Sequence, residues 1–102
     1  MYNKGRQRGD AELLFEWDEK KAENNLKKHG VDFHDAAAVF DDDFRIEWYD
    51  AAHSTTEDRY HTIGRVRQVL FVVYTERREK TRIISARKAT PREEALYYDR
   101  DL

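Results

Sequence analysis

Two hydrophobic periods divide the chain. A short apolar stretch at residues 13–17 reads as a strand, and the period then lengthens to that of a helix. Asp18 stands at the N-cap position, and Ala22 and Leu26 lie four apart on one helical face. Lys27, Lys28 and His29 fill a last turn, where positive charge suits the negative end of the helix dipole, and Gly30 supplies the left-handed stop. The pattern predicts a helix over residues 19–29, packed through Ala22 and Leu26. Asp32 caps a second, shorter helix in which Phe33, Ala36, Ala37 and Phe40 follow the i, i+3, i+4, i+7 spacing; the acidic run from Asp41 to Asp43 ends it.

From Phe44 onward the period falls to two. Phe44, Ile46 and Trp48 alternate with Arg45 and Glu47, as a half-buried strand does. Residues 49–56 are polar and loop-like, and residues 59–64 read as a further strand. A tight connection leads to residues 68–75, whose apolar run from Val69 to Tyr74 marks the most buried strand. A charged turn at residues 77–80 precedes a last strand at 81–88. Such short connections make these neighbours antiparallel. Thr90-Pro91-Arg92-Glu93 is the strongest local signal: Thr90 can accept from the Glu93 amide while Glu93 reaches back, and Pro91 takes the first helical position, where no N–H is needed. A C-terminal helix therefore starts here, packing through Ala95 and Leu96. Two helices, a mostly antiparallel sheet of about four strands and a closing helix make one α+β domain over residues 13–102. The polar extension before it, residues 1–12, is expected to be flexible. A helix pair covers one face of such a sheet and leaves the other to solvent, ligand or partner.

Composition narrows the function. Charged residues make up 39% of the 102, yet aromatics reach 13%, which a disordered polyelectrolyte lacks. No apolar run approaches the ~20 residues of a membrane helix, and the N-terminus lacks the apolar stretch of a signal peptide. The absence of cysteine removes disulfide scaffolds and thiolate metal sites and makes the reducing cytoplasm the expected location. The net charge of −2 conceals a split: residues 10–58 hold 15 acidic and 5 basic side chains, residues 59–92 hold 10 basic and 2 acidic. That asymmetry fits a polyanion partner for the basic half; it fits equally well two halves that neutralise each other.

Several blocks then fall into a recognisable order. They are Phe15-Glu16-Trp17-Asp18, Lys21, Asn25-Leu26-Lys27-Lys28-His29-Gly30-Val31, Ala36-Ala37-Ala38-Val39-Phe40-Asp41, His53-Ser54, Glu57-Asp58-Arg59-Tyr60, Thr62-Ile63-Gly64 and the run from Arg82 to Thr90. Together, over residues 13–98, they resemble the BrnT family of toxins. The resemblance implies a small domain related to RelE-type toxins and a cytoplasmic ribonuclease that needs no metal or other cofactor. It also implies a BrnA-like antitoxin as partner and promoter DNA bound only through the toxin–antitoxin complex.

A metal-free ribonuclease can use the 2′-hydroxyl of its own substrate as nucleophile. It must then supply a base, an acid and positive charge for the phosphoryl oxygens. Arginine suits the last role because its planar fork matches phosphate oxygens. With the resemblance, Arg59 and Arg82 become the phosphate ligands and Glu57 a base; a salt bridge between the halves is the structural alternative for each. His29 and His53 are the acid–base candidates by their ordinary pKa of ~6.5, although a helix C-terminus also explains His29. His34 and His61 read as structural. Lys21 and Lys28, two helical turns apart, can extend a phosphate track, and Ser85 and Arg87 can add RNA contacts. Strand geometry sets one condition: in a regular strand Arg82 and Arg87 point to opposite faces, so both reach one substrate only across a bulge. The histidines show no HExxH spacing and the Asp41–Asp43 cluster lacks EF-hand spacing, so no metal site is expected. Two other readings remain: a non-catalytic partner subunit in an autoregulatory repressor complex, and a single-strand nucleic-acid binder.

Overall fold

The computed structural model describes residues 7–8, 11–12 and 14–99, with side chains from residue 14 onward. Of the N-terminal extension, Gln7–Arg8 (β1) pairs antiparallel with Ala11–Glu12 (β2); the rest lies outside the described residues, as does Leu13 of the first strand candidate. The domain follows as β3 (Phe15–Glu16), α1 (Glu19–His29), α2 (Phe33–Ala38) running into a 3₁₀ turn (Val39–Asp41), β4 (Ile46–Tyr49), a 3₁₀ turn (Ala51–His53), β5 (Tyr60–Arg65), β6 (Val69–Arg77), β7 (Lys80–Lys88) and α3 (Pro91–Tyr98).

The main sheet has five strands in the order β3-β7-β6-β5-β4, where about four were expected. The strand read at residues 13–17 is its edge strand β3, which lies parallel to β7 with Phe15 opposite Thr81 and Glu16 opposite Arg82. The sheet is therefore mixed. A parallel neighbour cannot arrive by a hairpin, so the sequence near β3 carries no signal of its partner. The three remaining pairings are antiparallel, as expected, and β6 is the buried central strand.

Caps formed as their sequences dictate. The Asp18 carboxylate accepts from the Lys21 amide, that of Asp32 from the His34 amide, and Gly30 ends α1 at φ 72°. Thr90 and Glu93 close the full capping box of α3. Two packing expectations are corrected. Leu26 of α1 is 48% exposed; beside Ala22 the buried side chain is Asn25, whose amide donates to the carbonyls of Val31 and Ala86 and accepts from the Ala86 amide. Strand β3 is too short to cover β7 at Ala86, and Asn25 satisfies the backbone edge instead. In α3, Ala95 and Leu96 face outward and Tyr97 is buried, because its hydroxyl reaches the Asp42 carboxylate while its ring covers Ile63 and Val69.

The core lies between the sheet and the first two helices: Phe15, Trp17, Phe33, Ala36, Ala37, Phe40, Leu70, Val72, Tyr74, Ile83 and Ala86. Close approach decides one position. A Cβ on Gly64 would stand 2.6 Å from Val39 Cγ1, so only glycine lets the 3₁₀ turn lie on β5. On the opposite face α3 covers Ile63 and Val69, and Phe71 and Ala89 are buried with them. No other helix lies over that face among the described residues, and it is called the open face below.

Candidate active site

The open face is assembled by an irregularity in β7. Val73 pairs with Ser85, but the next residue, Tyr74, pairs with Ile83, so Ile84 is an extra residue without a partner in the ladder. A one-residue bulge reverses the facing of everything beyond it. Ile83 thereby enters the helix-covered core beside Tyr74, and Arg82 turns to the side of Thr75, Val73 and Ser85. Arg87 pairs with Phe71 and lies over its ring at 4.3 Å. The condition set by strand period is thus met: Arg82, Ser85 and Arg87 share the open face.

Strand β5 and its preceding loop add the next column. Thr62 is buried opposite Val72 on the core side, so His61 and Ile63 stand on the open side opposite Val73 and Phe71. The same period carries Arg59 to that side. Its backbone is held firmly: the Asp50 amide donates to the Arg59 carbonyl at 2.8 Å, the Arg59 amide donates to Ser54 Oγ at 2.9 Å, and Ser54 Oγ donates to the Asp50 carbonyl at 2.6 Å. The Thr75 hydroxyl ties down the Asp58 carbonyl. Glu57 sits between two guanidiniums, 3.2 Å from Arg77 and 3.9 Å from Arg59. Arg59 and Arg82 are two strands apart, about 10 Å at ~4.8 Å per strand. At the hairpin end of this face, Glu16, Arg77, Arg78, Lys80 and Arg82 line a hollow of about 420 Å³. Four cations meet one carboxylate there. The two hairpin residues, Arg78 and Glu79, both hold positive φ, as a two-residue turn requires.

Two histidines meet on one carboxylate at the edge of this face. His53 ends its 3₁₀ turn at the rim, with 70% of its side chain exposed and Nδ1 3.0 Å from Asp50 Oδ2. The same carboxylate oxygen takes His61 Nε2 at 2.9 Å. The His61 ring is wedged on the open face between Phe71 at 4.7 Å and Trp48 at 5.5 Å. Sequence reasoning set His61 aside as structural and did not select Asp50, Arg77 or Glu16. The period-two step from Ile63 was the available signal for His61.

The α1 candidates stand apart. Lys21 lies in the first turn, where its charge and that of Arg82 both act on the Asp18 carboxyl. Lys28 and His29 occupy the last turn, about 11–12 Å along the axis from Lys21 at 1.5 Å per residue. Both are exposed. Lys21, Asn25 and Lys28 share one helical stripe, so the two lysines flank the docked amide at the β7 edge.

Electrostatics show how these groups are held. The Arg87 fork is bidentate to Glu93, at 2.8 and 3.0 Å, and Glu93 also accepts from the Thr90 amide. The Arg87 hydrogen bonds hold the Glu93 carboxyl below its usual range, and Glu93 raises Arg87. For Asp50, burial pushes the carboxyl up, but the His53 hydrogen bond and the charges of His61 and His53 outweigh it and leave the group lowered. Glu16 and Arg82 (3.2 Å), Asp35 and Arg67 (2.7 Å) and Glu57 and Arg77 pair across the acidic and basic halves. Internal neutralisation therefore accounts for part of the charge split. The hairpin hollow is where cations remain in excess.

Chemically, the face offers guanidiniums in fixed positions, a carboxylate between two of them, a hydroxyl and two imidazoles on one acid. The model of one protein family, described as "Ribonuclease toxin, BrnT, of type II toxin-antitoxin system", matches residues 17–93. The crystal structure of the Brucella abortus ribonuclease toxin BrnT is similar at 26% identity and a TM-score of 0.53, covering 72% of this chain and 92% of that one. No curated protein sequence matches.

Proposed function

The chain belongs to the family of BrnT ribonuclease toxins of type II toxin–antitoxin systems, and from that premise we propose that its open sheet face cuts RNA without a metal ion. In this reading Arg82 and Arg59 hold the scissile phosphate and stabilise the charge that develops on its oxygens. The substrate 2′-hydroxyl attacks phosphorus, the P–O5′ bond breaks, and a 2′,3′-cyclic phosphate and a 5′-hydroxyl result. Glu57 or His53 takes the 2′-hydroxyl proton. Ser85 contacts the backbone between the arginines, and Lys21 and Lys28 extend the phosphate track along the β7 edge. Arg87 orders α3 through Glu93 and adds positive potential. His29, at the far end of α1, serves the helix terminus.

The observation that carries this reading is the hollow beside Arg82, where Arg77, Arg78 and Lys80 surround a single carboxylate. Glu16 and Glu57 occupy the forks until a phosphate arrives; being partly exposed, such pairs cost little to exchange. The resemblance to RelE-type toxins, the cytoplasmic location, the division into an extension (1–12) and a toxin domain (13–102), neutralisation by a BrnA-like antitoxin and promoter binding through that complex belong to the same proposal.

The test is purified chain incubated with RNA in excess EDTA beside Arg82→Ala, with melting temperatures compared. Removing one such donor is expected to cost about 100- to 1000-fold in rate. One observation favours the alternative of a non-catalytic repressor subunit: Arg59, Arg82 and Arg87 already hold carboxylates. Growth arrest by the chain expressed alone, relieved by its antitoxin, separates the two.

A further inference from the structure

We propose that Asp50 is a positioning residue that makes His53 the proton-transfer group of this face, with His61 as a second claimant on the same carboxylate. The inference rests on the ribonuclease reading and deepens it. Asp50 is 8% exposed although its side chain is an acid, so something must hold it. It caps the 3₁₀ turn through the His53 amide, and its Oδ2 receives His53 Nδ1 and His61 Nε2 at 3.0 and 2.9 Å. A carboxylate on Nδ1 fixes the imidazole tautomer: the proton sits on Nδ1 and the lone pair on Nε2. On His53 that lone pair is on the solvent side of a ring 70% exposed, beside the Ser54 and Arg59 backbone lock. On His61 the corresponding nitrogen is spent on Asp50, and the ring is 19% exposed between Trp48 and Phe71. Of the two imidazoles, only His53 is free to meet a substrate.

In the reaction His53 Nε2 accepts the 2′-hydroxyl proton as the O2′–P bond forms, and the leaving O5′ takes a proton from water. The Asp50 charge stabilises the imidazolium so formed. The other charged groups of the same loop are Glu57, Asp58 and Arg59, and Glu57 is held by Arg77 of β6 and Arg59. Burial pushes the Asp50 carboxyl up, and the His53 hydrogen bond and the charges of both histidines outweigh it.

Two variants test the arrangement. Asp50→Asn keeps the shape but removes the counter-charge and offers an amide that can donate to Nδ1. Its kcat falls about 10-fold or more with KM little changed, and nitrogen NMR of the His53 ring no longer finds the Nδ1–H tautomer that the parent shows. His61→Asn removes the second claimant and leaves that tautomer in place. Asp50→Glu partly restores the parent behaviour. A purely structural Asp50 would lower the melting temperature and change neither the tautomer nor the kcat-against-KM split. An unchanged His53 tautomer in Asp50→Asn overturns the proposal. If the tautomer changes as stated but the folded parent cuts no RNA, the ribonuclease reading fails and takes the proton-transfer role with it.

Discussion

The two faces of the sheet are made from the same strands and have opposite characters. On the helix-covered side Leu70, Val72 and Tyr74 of β6 meet Ile83 and Ala86 of β7, and Phe33, Ala36 and Phe40 seal them. On the open side the same strands present Val73, Thr75, Arg77, Arg82, Ser85 and Arg87. What divides them is one extra residue, Ile84. Without it Arg82 would point into the core and Ile83 into water. The covered face therefore specifies the fold, and the bulge, at a small local cost in pairing, turns a chemically useful side chain outward.

That contrast can be broken at four points, taken from the largest expected effect to the smallest. Phe33→Ala removes a ring that is 1% exposed and edge-on to Trp17, and is expected to destabilise the chain by about 3–5 kcal/mol. Denaturant unfolding checks it, and any RNA cleavage by the folded fraction should be normal. Arg82→Ala should do the reverse. Its cleavage rate falls about 100-fold or more. Its pair with Glu16 is partly exposed, so stability changes by no more than about 1 kcal/mol in a melt.

Asn25→Ala probes the boundary between the faces. It strips two hydrogen bonds from the β7 edge at Ala86 and one from the Val31 carbonyl, and the unpaired backbone groups should cost about 2 kcal/mol. Hydrogen exchange should report the loss first at Ala86. The smallest effect concerns Glu93. Its carboxyl is lowered in the folded chain by Arg87, so its contribution is present above the unfolded value of ~4.3 and is lost as pH falls through the lowered native value. Glu93→Gln should lower the melting temperature at neutral pH, where the pair is intact, flatten the acid limb in that window, and match the parent below it.

Much of the covered face was legible in the sequence because its signals are local. Asp18, Asp32 and Thr90 cap where hydroxyl and carboxylate chemistry demands, and the apolar run of β6 could only be a central strand. What stayed hidden depends on residues distant in the chain. Asn25 is buried because β3 stops short of Ala86, and β3 lies beside β7 only after the whole domain has formed. Tyr97 displaces Leu96 from the interior because Asp42, 55 residues earlier, receives its hydroxyl. The open face was half legible. Arg59, Arg82 and Glu57 could be selected by chemistry and family resemblance, and the need for a bulge could be stated. Its position could not, since Ile84 looks like any strand residue. The Asp50 pair with His61 also escaped, because a histidine inside a strand gives no local sign of a carboxylate across the sheet edge.

The central claim is that RNA is bound on the open face. The most direct measurement is NMR perturbation mapping of the chain with a short RNA, uncleavable because each 2′-hydroxyl is methylated. The account predicts that shifts concentrate at Arg59, Arg77, Arg82 and Ser85 and spread to His53 and Lys21, with the residues packed under α1 and α2 unmoved. Shifts confined to Lys28, His29 and the outer surface of α1, with the open face silent, would contradict it.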